Sequence, residues 1–178
     1  MVTLNDVLAV QTLTPDDWRI WRQVRLAALV DAPQAFGAQL SDWTGEGDTE
    51  ERWRGRLALE RSRNVIALLA GAAVGMASGV VDSAAADCHV ISMWVSPEER
   101  GRGVGDLVLQ AIEEWASSSG ARRLRLAVAS GNPAAEYLYR RNGFQPTGEW
   151  GEVMPDGVHQ EKIMQKPVLG CHVNTSAR

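Results

Sequence analysis

Three glycines fall within five positions, at Gly101, Gly103 and Gly105. They separate an apolar, strand-like run (Val90–Val95) from a helical repeat of Val104, Val108, Ala111, Ile112 and Trp115. A strand that turns this tightly into an amphipathic helix fixes the local topology. Glycine allows positive φ and close backbone approach to a ligand. The free N–H groups and the dipole at the helix start make an anion site. From the residues alone the segment reads as a phosphate or pyrophosphate cradle, with Arg100 and Arg102 adding positive charge. A plain tight turn with exposed arginines is the alternative. The Gly-Lys-Ser/Thr ending of a Walker loop is missing, and the glycine spacing is not G-x-G-x-x-G.

The remaining elements set this turn in a mixed α/β sheet. Val7–Leu13 reads as a strand. Thr14 and Pro15 open a helix in which Trp18, Trp21, Val24, Arg25 and Ala28 follow at helical spacing, with Trp18 and Trp21 read as core residues. Asp31-Ala32-Pro33 breaks it. A turn-rich loop, Gly45–Asp48, leads to Thr49 as the cap of a second helix ending near Arg61. Val65–Ala70 and Val74–Val81 flank Gly71-Ala72-Ala73 as a hairpin. His89–Val95 is the next strand. After the glycine turn come a helix ending at Gly120 and a strand at Leu124–Val128. A further helix is capped by Asn132, started by Pro133 and closed by Gly143. Phe144–Trp150 and His159–Met164 are the last strands, joined by Pro155-Asp156-Gly157. Residues 1–167 are expected to form a single domain, and residues 168–178 a polar tail.

A chain of 178 residues is long enough for one core. Its net charge of −4 disfavours broad nucleic-acid binding, and the local arginine clusters read as solvated faces. No run approaches the roughly 18 apolar residues of a membrane span. With no secretory pattern at the N-terminus, the expectation is a cytoplasmic protein without membrane or nucleic-acid partners. Cys88 reads as a core residue and Cys171 as part of the polar tail. Two cysteines and three histidines show no metal-ligand spacing, so no metal is expected.

Two segments resemble the GNAT superfamily of acetyl-CoA-dependent N-acetyltransferases. Arg100-Gly101-Arg102-Gly103-Val104-Gly105 resembles the family's Q/R-x-x-G-x-G/A pyrophosphate loop. Asn132-Pro133-Ala134-Ala135-Glu136-Tyr137-Leu138-Tyr139-Arg140-Arg141-Asn142-Gly143-Phe144 resembles its N-x-x-A-x-x-L-Y-x-x-x-G-F motif at every fixed position. Asp31–Gly37 is also similar, and the likeness covers about residues 7–166.

The resemblance implies a mostly antiparallel, six- to seven-stranded mixed sheet with about four helices, splayed between the fourth and fifth strands. It implies acetyl-CoA as co-substrate, with the pyrophosphate on the amides of Arg100, Gly101, Arg102, Gly103, Val104 and Gly105. It further implies cofactor contacts from Met93, Trp94, Val95, Asn132, Ala135 and Tyr139. Tyr139 would protonate the leaving thiolate. Some members carry a glutamate base eleven residues before the loop. Here that position is His89, a residue able to titrate near neutral pH. Asp82, Glu46 and His159 are further base candidates. The implied activity is acetylation of a primary amine on a small molecule or peptide. Alternatives are protein N-terminal acetylation, a non-catalytic acyl-CoA sensor, and a toxin acting on aminoacyl-tRNA, which the acidic charge disfavours. Family members often form homodimers, but no feature of the sequence decides this.

Overall fold

The computed structural model describes residues 7–154 and 156–168. Cys171, the expected tail beyond Val168 and Pro155 of the expected turn lie outside the described residues. Seven strands form one sheet in the order β1-β2-β3-β4-β5-β7-β6. The strands are β1 Leu8–Thr12, β2 Ser62–Leu69, β3 Ala72–Asp82, β4 Asp87–Val95, β5 Arg123–Ala129, β6 Gln145–Val153 and β7 Gln160–Pro167. Neighbours are antiparallel except β4 and β5, which run parallel. The helices are α1 Trp18–Asp31, α2 Glu50–Leu57, α3 Val104–Ser118 and α4 Pro133–Arg141. This is the expected mixed sheet with four helices. Among the described residues, no helix is long and apolar enough to cross a membrane.

Each face of the sheet buries an apolar layer, as period-2 strands require. Val65, Ala67, Cys88 and Val90 pack under α3 with Val108, Ile112, Leu124 and Met164. Ile66, Met76 and Trp94 pack on the other face under α1 and α2, with Trp21, Leu29 and Trp53. The inward positions of α3 recur as Val104, Val108, Leu109, Ile112 and Ala116, the stripe of a surface helix. Gly120, at φ 80°, follows the helix end, a conformation that favours glycine.

Local chemistry sets the boundaries. Thr14 donates through its backbone N–H and its hydroxyl to Asp17 Oδ2, at 2.7 and 2.9 Å. A 3₁₀ turn at Pro15–Asp17 therefore precedes α1. The second helix stops at Leu57 rather than near Arg61. Ala58 N–H is shared between the carbonyls of Arg54 and Gly55, and Arg61, at φ 54°, turns the chain into β2. The hairpin turn is Ala70-Gly71, not Gly71-Ala72-Ala73. Leu69 faces Ala72 in register, and φ values of 50° and 80° give the two-residue turn that matches strand twist.

Candidate active site

The parallel β4–β5 ladder is short. It pairs only Asp87, Cys88 and His89 with Arg123, Leu124 and Arg125. Beyond His89 the strands part, as expected between the fourth and fifth strands. Ser92 sits at φ 55°, where the β3–β4 register shifts between Met76 and Ser78. This bulge bends β4 and reverses its alternation. Cys88 and Val90 face the α3 layer, whereas Trp94 faces α1. The parted edge of β4 keeps unpaired main-chain groups toward the gap.

A cavity of about 570 Å³ fills the gap. Met93, Trp94 and Val95 line one wall; Arg100, Gly101, Gly103 and Gly105 line the end; Asn132, Ala135 and Tyr139 line the other wall. Ten of the cofactor residues expected from the sequence thus share one cavity. Arg102 and Val104 do not line it. Arg102 pairs with Glu99 at 3.0 Å, and the Val104 side chain is buried in the core.

Gly101 and Gly103 adopt φ of 78° and 84°. The first helical bond of α3 runs from Leu107 N–H to Gly103 O at 3.1 Å. The N–H groups of Val104, Gly105 and Asp106 are therefore left for an outside acceptor. Gly105 serves packing as well: a Cβ there would meet Leu138 Cδ2 at 2.8 Å. The loop's charge differs from the sequence expectation. Arg100 is ion-paired to Asp31 and donates to Val95 O at 3.1 Å. With Arg102 on Glu99, neither arginine adds uncompensated charge, and the cradle rests on backbone dipoles. Asp31 also accepts from Trp94 Nε1 at 2.9 Å. It thereby ties the end of α1 to β4 and to the glycine loop. The sequence marks Asp31 as part of a helix break and of the Asp31–Gly37 resemblance, with no sign of these partners.

Asn132 caps α4 as expected, accepting from Ala135 N–H at 3.1 Å. That orients the inner face of α4, which carries Tyr139. The Tyr139 ring is buried and meets Phe144 edge-on at 5.9 Å. Burial pushes its phenol well above the ordinary range, which keeps the hydroxyl neutral at neutral pH and makes it a weaker acid than a solvated tyrosine. Tyr137, by contrast, is 66% exposed at the cavity rim.

The histidines separate. His89 is exposed on β4, opposite Val80 and Arg125 within the paired part of the ladder. It does not line the cavity, nor do Asp82 and Glu46. His159 does, with Asp156. Its Nδ1 lies 2.6 Å from Asp156 Oδ2, and Asp156 Oδ1 accepts from the N–H groups of Val158 and His159, both at 2.9 Å. The His159 contact, followed by those backbone bonds, holds the Asp156 carboxyl down to about 2. The ring packs against Gly131, where any Cβ would fall 2.7 Å from Nε2. The Asp-x-x-His spacing in the β6–β7 turn was the available sequence signal for this pair. Among the described residues no group of three or more His, Cys, Asp or Glu could hold a metal.

Comparison with known proteins agrees with this geometry. A family model described as "Acetyltransferase (GNAT) family" matches residues 26–144. The uncharacterized N-acetyltransferase YobR of Bacillus subtilis is 44% identical over 55 residues, which is 31% of this chain and 22% of that protein. The IAA acetyltransferase of Azospirillum brasilense is 30% identical over 112 residues, 63% of this chain and 72% of that protein. The crystal structure of spermidine N-acetyltransferase from Vibrio cholerae, in complex with CoA and spermine, superposes with a TM-score of 0.74. It is 16% identical and covers 90% of this chain and 95% of that chain.

Proposed function

Because this chain belongs to the GNAT family of acetyltransferases, we propose that it transfers the acetyl group of acetyl-CoA to a primary amine of a small molecule or peptide. One observation carries the reading. A single cavity joins the open edge of β4, the free amides at the start of α3 and the Tyr139 side chain. Residues 1–167 are read as one acetyltransferase domain.

Acetyl-CoA supplies an acyl group on a good leaving thiolate. The amides of Val104, Gly105 and Asp106, with the positive-φ glycines, suit its pyrophosphate. The main chain of Met93 and Val95 suits the amide-bearing arm that leads to the thioester. The acceptor amine must be neutral to attack. Its nitrogen bonds to the carbonyl carbon, the C–S bond breaks, and the thiolate takes a proton from the Tyr139 hydroxyl. We assign the amine's proton to His159 in preference to His89, because His159 lines the cavity and is oriented by Asp156. A protonatable group held in this way is worth typically about 10²–10⁴ in rate.

The test is thiol release from acetyl-CoA with a panel of primary amines, run on wild type, Tyr139→Phe, His159→Gln and His89→Gln. Turnover should be detected with wild type, and kcat should drop for Tyr139→Phe with acetyl-CoA affinity little changed. It should also drop for His159→Gln and hold for His89→Gln. Turnover absent with every amine, alongside intact acetyl-CoA binding, would favour the sensor.

A further inference from the structure

Several arginines at the surface of this protein are ion-paired, whereas two on the inner side of α1 and α2 are not. Arg22 bonds Asp48, Arg54 bonds Asp16 and Glu50, Arg123 bonds Asp87 and Arg141 bonds Asp106. Arg25, on α1, is only 8% exposed, and its Nη1 is buried with no hydrogen-bond partner. Arg56, on α2, is half-buried. It meets only neutral acceptors: Asn64 Oδ1 at 3.0 Å and Ser78 Oγ at 3.1 Å. Among the described residues, no carboxylate lies within ion-pair distance of either. This inverts the usual rule that a buried charge is paired.

The surroundings sharpen the anomaly. Trp18 and Trp21, on the same side of α1, each bury an indole N–H without an acceptor. The Arg56 guanidinium lies 5.6 Å from the Trp21 ring. Asn64 Oδ1 is already taken by the Ser78 hydroxyl at 2.7 Å as well as by Arg56. The space between α1, α2 and the sheet is therefore rich in donors and short of acceptors. Burial lowers the Arg25 guanidinium to about 10, and the Arg56 charge adds to that effect. Two like charges held between α1, α2 and the sheet call for an anion, and no described carboxylate pairs with either.

The cluster adjoins the cavity. The Arg25 guanidinium stacks on the Phe36 ring at 4.6 Å, and Phe36 lines the same cavity as Tyr139 and His159. Arg25 does not itself line the cavity; the Phe36 ring lies between its guanidinium and the gap, so a ligand reaches it by displacing that ring. We infer that Arg25, backed by Arg56, receives a carboxylate of the acyl acceptor, so that the acceptor is an amine that also carries a carboxylate. This rests on the acetyltransferase reading above. The planar guanidinium fork matches a carboxylate geometrically.

The competing role for Arg25 is structural, as a prop stacked on Phe36. Stability separates the two. Burying an unpaired charge costs free energy, so replacing it with an apolar side chain of similar length should not lower Tm, whereas loss of a prop does. The experiment uses matched acceptors: L-leucine, L-methionine and L-phenylalanine, their primary amides and their decarboxylated amines. Thiol release is measured for wild type, Arg25→Met and Arg25→Lys, with Tm recorded for each protein.

Wild type should favour the acids over the amides by about 10–100-fold in kcat/KM, the scale of one charge-assisted hydrogen-bonded contact. Arg25→Met should abolish the preference by raising KM for the acids far more than for the amides, and keep or raise Tm. Arg25→Lys should retain part of the preference. Equal use of acids and amides by wild type would overturn the inference. So would a preference that survives Arg25→Met, or a lowered Tm with the preference intact. Ligand-induced Tm shifts in the presence of CoA keep the two readings apart. If acids but not amides raise Tm in wild type and not in Arg25→Met, while no acceptor releases thiol, the carboxylate receptor stands and the transferase reading falls.

Discussion

Gly79, on β3, lies directly under α3, and Gly79→Ala is the most informative test of how that helix is seated. A Cβ at this position would come within 2.8 Å of Trp115 Cζ3, 2.9 Å of Ile112 Cγ2 and 3.1 Å of Cys88 Sγ. Ile112 and Cys88 are fully buried, so neither has free volume to enter. Overpacking of this kind costs about 1–3 kcal/mol. The reduced freedom of the unfolded chain offsets about 0.4–1 kcal/mol. The net loss is about 0.5–2 kcal/mol, or a Tm lowered by roughly 1–8 °C at about 2–4 °C per kcal/mol for a chain of this size. Gly55→Ala is the matched control. Gly55 is exposed within α2, and an added Cβ meets nothing within 4 Å. Alanine there should stabilise by about 0.5–1 kcal/mol through helix propensity. Differential scanning calorimetry and urea titration read both variants. Because α3 begins at the glycine loop, acetyl-CoA affinity should weaken for Gly79→Ala and hold for Gly55→Ala. If Gly79→Ala were as stabilising as Gly55→Ala, the packing of α3 on β3 described above would be refuted.

Acid stability provides a second check. Asp48 accepts from Arg22 Nε at 2.6 Å and from Trp53 Nε1 at 2.8 Å, which holds its carboxyl down to about 2. A lowered folded-state value contributes stability above the unfolded value of about 3.9, and that stability disappears as pH falls toward the folded value. Asp48→Asn should therefore flatten the stability curve between about pH 4 and pH 2, as measured by urea midpoints; an unchanged slope would contradict the pairing. Cys88 is buried, and burial pushes its thiol up to about 12. Peptide mapping after iodoacetamide treatment should find Cys88 unmodified in the native protein and modified after unfolding, and native labelling would contradict its place under α3.

Much of this was legible in the sequence because the decisive signals are local. Gly101, Gly103 and Gly105 encode a positive-φ turn, and Asn132 followed by Pro133 encodes a helix start. The apolar spacing from Val104 to Ala116 encodes a helix face. What was not legible depends on distant partners. Ser92 carries no glycine-like mark, yet it forms the bulge that reverses β4, because the β3 register imposes it. Asp31 looked like a helix end, and only folding brings it to Trp94 and Arg100, residues 63 and 69 positions away. His89 was found by counting back from the loop, a one-dimensional rule. The paired β4–β5 ladder keeps it outside the cavity, and the β6–β7 turn carries His159 in. Arg25 falls at helical spacing with Trp21 and Ala28, but its burial and its lack of a partner are visible only once α1 is seated on the sheet.

The central claim, that the glycine turn and the parted strands hold acetyl-CoA, is tested most directly by calorimetric titration of acetyl-CoA into wild type and Gly103→Val, with Tm recorded for both. Gly103 sits at φ 84°, and a Cβ there would project into open space, so the substitution disturbs the loop backbone and ligand approach and leaves core packing untouched. The account predicts saturable binding to wild type, competed by free CoA, and affinity at least about tenfold weaker in the variant. Equal affinity in the two proteins would contradict it.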